Sequence, residues 1–209
     1  MTSRVISCII GYCFGCFLTA ELVARHYAGK GAAELGETGN PGMANIMASL
    51  GFKPGILTLL GDVGKTVLAM VLSWLIFQKE GWIVALYAGL GATIGHNYPF
   101  WRGFRGGKGV ATSSAAIILF NPLWGLLANI AGMLVTFATK YLCIAGPVIP
   151  LFFMLFMFLK GEMEAGYIAI VFSLMSLISH GPSVLGIFKG TTSQTDVIGA
   201  LRRKLSKKK

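Results

Sequence analysis

Residues 82–120 read WIVALYAGLGATIGHNYPFWRGFRGGKGVATSSAAIILF: an apolar run, a polar loop and a second apolar run. The stretch from Gly95 to Thr112 gathers three cations, one histidine and five glycines within eighteen residues. Glycine lets backbone amides approach a ligand closely, and Lys and Arg match anions. A helix beginning at Val110 would add its own N-terminal partial positive charge and free N–H groups at the same place. The pattern points to a site for a phosphorylated small molecule at a membrane surface.

The rest of the chain supplies the membrane part. Of its 209 residues 55% are hydrophobic and only 12% charged, and the mean hydropathy is +0.70. A soluble domain carries about 25% charged residues. The apolar runs approach the roughly 20 residues that a helix needs to cross a bilayer. In lipid, runs of this kind satisfy their backbone groups only as helices. Seven spans are expected, near 4–24, 55–77, 82–96, 109–120, 122–141, 143–159 and 164–180, the fourth being short for a full crossing. The expected fold class is therefore all-α: one polytopic integral membrane helical bundle over 1–200, followed by a basic cytoplasmic tail over 201–209. With the N-terminus outside, fourteen Lys and Arg fall on the side that carries the tail, and three (Arg4, Lys79, Lys160) on the other. The richer side is then cytoplasmic. The two long polar loops, 25–54 and 97–108, lie on that side too.

The net charge of +10 sits largely in the tail. No nucleic-acid motif accompanies it, so the tail is expected either to lie against membrane lipid, at about 1 kcal/mol per basic residue, or to serve as a solvated topogenic tail. Cys8, Cys13 and Cys16 fall in the first span and Cys143 opens the sixth. They read as small packing residues rather than redox or metal groups. The few carboxylates are not spaced as ligands, so neither metal nor cofactor is expected. The spacings Gly11/Gly15 and Gly91/Gly95 allow close helix packing.

Three further elements carry possible chemistry. Residues 36–45 offer Thr38, Gly39, Asn40 and Asn45, an uncharged set suited to a phosphate or polyol nest. Asp62 and Lys65, three apart inside the second span, share a helix face and can pair. An isolated charge there would cost at least about 2.5–3.5 kcal/mol, so the pair is a candidate functional element. His96 and His180 end two different spans on the same expected side, where they could meet as base, phosphate ligand or helix cap. A P-loop is excluded, because Leu59 and Arg102 stand where its first glycine belongs.

The motif Gly-His-x-x-Pro…Phe-x-Gly-Gly-Lys-Gly-Val-Ala-Thr at 95–112 resembles the signature loop of the bacterial acyl-phosphate:glycerol-3-phosphate acyltransferases, the PlsY type. Gly39-Asn40-Pro41-Gly42-x-Ala44-Asn45 is similar to that family's first glycine loop, and Gly61-Asp62-x-x-Lys65 to a third family element. The resemblance implies a seven-helix enzyme of the bacterial inner membrane, multi-pass, with its active site facing the cytoplasm. It implies transfer of a fatty acyl group from acyl phosphate to the 1-hydroxyl of glycerol 3-phosphate, giving lysophosphatidic acid for phospholipid synthesis. Under it, Lys108, Arg102, Arg105 and the amides of Gly106, Gly107 and Gly109 hold phosphate and developing charge. Thr38, Gly39, Asn40, Asn45, Asp62, Lys65 and Ser183 serve substrate binding. His180 or His96, or a substrate phosphate, takes the hydroxyl proton.

Departures from the pattern bear on activity. The family's first helix commonly reads Gly-Ser-Ile-Pro where this chain has Gly15-Cys16-Phe17-Leu18. Two expected arginines fall near Ala33 and at Ala48. Of the C-terminal motif His180, Val184 and Gly190 remain, with Ser183 in place of its asparagine, Gly186 of its second arginine and Thr192 of its glutamate. These losses imply weakened affinity, a changed substrate or lost activity. A transporter or binding protein for an organic phosphate is the alternative of a different class, although one-sided polar loops and the lack of inverted halves count against it.

Overall fold

The computed structural model describes residues 1–36, 38–192 and 194; the basic tail over 201–209 lies outside them. The described residues form helices α1 (Thr2–Gly15), α2 (Thr19–Ala28), α3 (Met43–Leu50), α4 (Phe52–Ile76), α5 (Ile83–Asn97), α6 (Val110–Phe120), α7 (Pro122–Thr139), α8 (Leu142–Leu159) and α9 (Met163–Phe188), with no strand among them. Each of the seven expected segments is helical. By length and apolar composition, five stretches are sufficient to cross a membrane: Thr2–Ala28, α4, α7, α8 and α9. At 15 and 11 residues, α5 and α6 are shorter. The loop expected over 25–54 also contains a helix, α3.

The first segment departs from the expected single helix. It breaks at Cys16–Leu18 between α1 and α2, with no proline present. The carbonyls released there have distant partners. The Trp101 indole Nε1 donates to the Cys16 carbonyl at 2.7 Å, and Lys65 Nζ donates to the Phe17 carbonyl at 2.7 Å. A helix C-terminus carries partial negative charge, so an ammonium group is stabilising at that spot.

Helix α5 is the axis of the bundle, with Val84, Leu86, Leu90, Thr93, His96 and Asn97 among its many buried residues. Small residues let α1 lie directly on it. A Cβ on Gly11 would strike the Ala88 carbonyl, and one on Gly91 the Cys8 carbonyl. Between membrane helices, this close van der Waals packing replaces the hydrophobic drive that lipid cannot supply. Met70, Leu86, Ile117, Ile149, Phe153 and Phe172 join α4, α5, α6, α8 and α9 in one core. Outward, Leu60, Leu68, Leu134, Leu155 and Ile178 stand exposed, as a lipid-facing surface requires. Asn121 caps α7 by accepting from the Trp124 N–H at 3.4 Å, with Pro122 in the first turn.

At the end of the bundle that holds the N-terminus, Arg4 pairs with Glu80 at 3.2 Å and forks onto Glu164, which also accepts from the Tyr87 hydroxyl at 3.1 Å. The connections carrying Arg4, Lys79 and Lys160 therefore share one end, opposite the glycine-rich loop.

Candidate functional site

The glycine loop folds back over the C-terminus of α5. The Gly106 N–H donates to the Asn97 carbonyl and the Gly107 N–H to the His96 carbonyl, each at 2.9 Å. Gly107 lies so close to His96 that a Cβ there would run into the imidazole. Gly109 then takes the left-handed conformation (φ +76°) and α6 begins. Two of the amides expected to hold phosphate are thus bonded within the fold. Among the described residues, the N–H groups of Lys108 and Gly109 have no acceptor. With the open first turn of α6 they make a cradle of donors that can accept an anion.

Lys108 reaches from this cradle to α9, where its Nζ donates to Ser183 Oγ at 2.9 Å. Burial pushes its ammonium below the usual lysine range, opposed by the neighbouring Cys143. One turn before Ser183, His180 is buried with its Nδ1 3.0 Å from the Ser176 carbonyl. A carbonyl only accepts, so Nδ1 carries a proton, and in the neutral ring Nε2 keeps its lone pair. Asn97 Nδ2 donates to Ser179 Oγ at 3.2 Å and ties the end of α5 to α9. The bridge lies one residue beyond His96 and one before His180, so both histidines sit where the end of α5 meets α9, without a direct bond between the rings among the described residues. His180 does not end its span as expected, because α9 continues to Phe188. Sequence reasoning missed Asn97 and Ser179; their signal was adjacency to the two histidines.

The C-terminal motif that departs from the family pattern is closed by other groups. Thr192 Oγ1 donates to the Ser183 carbonyl at 2.7 Å, and the Thr191 N–H to the Gly186 carbonyl at 2.8 Å. Ser183 keeps its hydroxyl on Lys108.

The loop over 36–45 is internally bonded. Thr38 Oγ1 donates to Asn45 Oδ1 at 3.2 Å, Asn45 Nδ2 to the Leu35 carbonyl at 2.9 Å, and the Asn40 N–H to Thr38 Oγ1 at 3.4 Å. Gly39 holds a positive φ of 56° in that turn. Arg102 faces this side: its Nη2 is 3.8 Å from Glu21 Oε2, which itself accepts from the Ala32 N–H at 3.0 Å. Arg105 is exposed. Among the described residues, no direct bond joins Thr38, Asn40, Asn45 or Arg102 to Lys108.

Asp62 and Lys65 are buried in the bundle and paired at 2.8 Å. Lys65 also lines an apolar groove of about 610 Å³ between α1 and α4, with Cys13, Phe14, Phe17, Gly61, Gly64 and Leu68. Among the described residues, no three His, Cys, Asp or Glu side chains gather as metal ligands would.

A family model described as glycerol-3-phosphate acyltransferase matches residues 5–190. The chain is 34% identical over 200 residues to glycerol-3-phosphate acyltransferase 1 of Lactobacillus johnsonii, covering 96% of each protein. It is 35% identical over 194 residues to the glycerol-3-phosphate acyltransferase of Clostridioides difficile, covering 90% of this chain and 94% of the relative. Its fold matches the crystal structure of PlsY (YgiH), an integral membrane glycerol 3-phosphate acyltransferase in its glycerol 3-phosphate form. That match has a TM-score of 0.83 at 26% identity, over 95% of this chain and 98% of the other.

Proposed function

This chain belongs to the glycerol-3-phosphate acyltransferase family, and we infer that the cradle of Lys108, Gly109 and the α6 N-terminus is where its two phosphorylated substrates meet. The protein is an integral membrane enzyme that transfers a fatty acyl group from acyl phosphate to glycerol 3-phosphate, giving lysophosphatidic acid. The observation that carries the site is the Lys108 ammonium, held on Ser183 beside two amides without acceptors.

In this reading the cradle binds the phosphate of the acyl donor, and Lys108 neutralises charge that develops as the donor is attacked. The 1-hydroxyl of glycerol 3-phosphate attacks the acyl carbonyl carbon. An ester C–O bond forms, the acyl–phosphate C–O bond breaks, and inorganic phosphate leaves. His180 Nε2, unprotonated because Nδ1 donates to Ser176, takes the hydroxyl proton. Thr38, Gly39, Asn40 and Asn45 orient glycerol 3-phosphate from the loop side, and Arg102 and Arg105 of the glycine loop add positive charge for its phosphate. Positioning of this kind is worth up to about 7–11 kcal/mol. The α1–α4 groove takes the acyl chain, since it is apolar and reaches the bundle beside Lys65. Under the positive-inside rule the whole site faces the cytoplasm of a bacterial plasma membrane, in a multi-pass protein.

The test uses purified protein in lipid mesophase with palmitoyl phosphate and radiolabelled glycerol 3-phosphate. Wild-type protein is expected to form labelled lysophosphatidic acid, and Lys108→Ala to lose at least about 100-fold, the scale of one lost charge-stabilising donor. Near-normal turnover by folded Lys108→Ala overturns the assignment.

A further inference from the structure

Among the described residues no bond joins the Asp62–Lys65 pair to Lys108, Gly109 or Ser183, yet the pair lies buried in the bundle. A charge pair there is retained at a cost unless it does work on its neighbours. Lys65 Nζ has three close partners: the Phe17 carbonyl at 2.7 Å, Asp62 Oδ1 at 2.8 Å and His96 Nδ1 at 3.0 Å. The Phe17 carbonyl accepts a hydrogen bond and Asp62 Oδ1 pairs by charge alone; an ammonium has protons and no lone pair, so toward His96 Nδ1 it can only donate. Asp62 Oδ1 is 3.6 Å from His96 Nδ1, too far to be its hydrogen-bond partner.

We propose that Lys65 is a positioning residue that fixes His96 as the Nε2–H tautomer, so that His96 serves the glycine loop as a hydrogen-bond donor and not as a base. The Nε2 edge of the ring abuts Gly107, within the loop that leads to the cradle. The break between α1 and α2 belongs to the device, because it frees the Phe17 carbonyl that anchors the ammonium. Trp101 pins the same break from the loop side through the Cys16 carbonyl. The break, α4, the end of α5 and the glycine loop are thereby held in one register. His180, whose Nδ1 donates to Ser176, is the opposite tautomer. The two histidines are thus set to different tasks: donor at the loop, acceptor at α9. The catalytic consequence rests on the acyl-transfer reading above; the tautomer does not.

The experiment is ¹⁵N–¹³C magnetic resonance on the full-length protein in bilayers, with His96 assigned by its loss in His96→Gln. The wild type is expected to show a protonated Nε2 and bare Nδ1 at His96. Lys65→Met is expected to mix or reverse that tautomer and to lower kcat about 100-fold, as a small misplacement can, with a smaller change in KM. His96→Gln, whose amide can both accept and donate, is expected to retain more activity than His96→Ala. An Nδ1–H tautomer in the wild type overturns the proposal, as does folded Lys65→Met with unchanged tautomer and kcat. Absence of acyl transfer in the wild type would instead sink the functional reading and leave the tautomer result standing.

Discussion

The two ends of the bundle are built from the same helices and treat polar groups in opposite ways. At one end Arg4, Glu80, Tyr87 and Glu164 bond to one another. At the other, among the described residues, Lys108 and Gly109 leave amides without acceptors, no partner bonds His180 Nε2, and a buried Arg102 nitrogen has no partner. A protein holding itself together pairs its buried polar groups, since an unmet donor costs about 1–3 kcal/mol. Unmet groups are not confined to one end, since Ser3 Oγ beside Arg4 is also unpartnered among the described residues, but those of the glycine-loop end include backbone amides that a ligand can complete. Substitutions at the two ends should therefore separate activity from stability.

The largest effect is expected at His180. His180→Ala removes the free Nε2 and should lower kcat by about 10²–10⁴, the range for a lost general base, while KM for glycerol 3-phosphate changes little. The labelled lysophosphatidic acid assay reads this directly. Wild-type kcat in the folded variant would mean that a substrate phosphate takes the proton, and that the unmatched end serves binding alone.

Much of this division was legible in the sequence. Apolar segment lengths gave the long helical segments but not the short α3, and the glycine–lysine loop pointed to one end as the candidate site. What escaped reading was set by contacts across long sequence distances. The break at Cys16–Leu18 has no local cause, because its acceptors answer Trp101 and Lys65, 85 and 48 residues away. The loop motif suggested a row of free amides, but Gly106 and Gly107 turn back onto the α5 carbonyls of Asn97 and His96. Asp62 and Lys65 stand out in the sequence because charges inside a span ask for a function. Their partners, the Phe17 carbonyl and His96, become visible only once α1, α4 and α5 are packed.

A smaller effect is expected from pH. Burial disfavours the charged form of Lys108, so its proton leaves at a lower pH than the usual lysine value of about 10.4. The active form is the ammonium. Activity should therefore fall on the alkaline side, starting below that value, while the acid side is insensitive to Lys108. Arginine stays charged throughout this range. A folded Lys108→Arg protein, slower overall, should lack the alkaline limb in a kcat–pH profile. Retention of the same limb would assign it to another group.

The smallest effect is expected at the self-paired end. Arg4 and Glu164 are both partly exposed, and such ion pairs contribute about 0.2–1 kcal/mol each. Arg4→Leu should lower Tm by no more than a few degrees for a chain of this size and leave activity per folded molecule unchanged. Glu164 and His180 lie on one helix sixteen residues apart, about 24 Å at 1.5 Å per residue. A rigid rod of that length can carry a tilt from one end to the other. If Arg4→Leu costs activity out of proportion to its Tm, α9 is transmitting a displacement to His180 and Ser183, and the two ends work as one device. If activity is unaffected, the pairing at the far end only closes the bundle, and catalytic geometry is set locally by the Asn97–Ser179 and Lys108–Ser183 bonds.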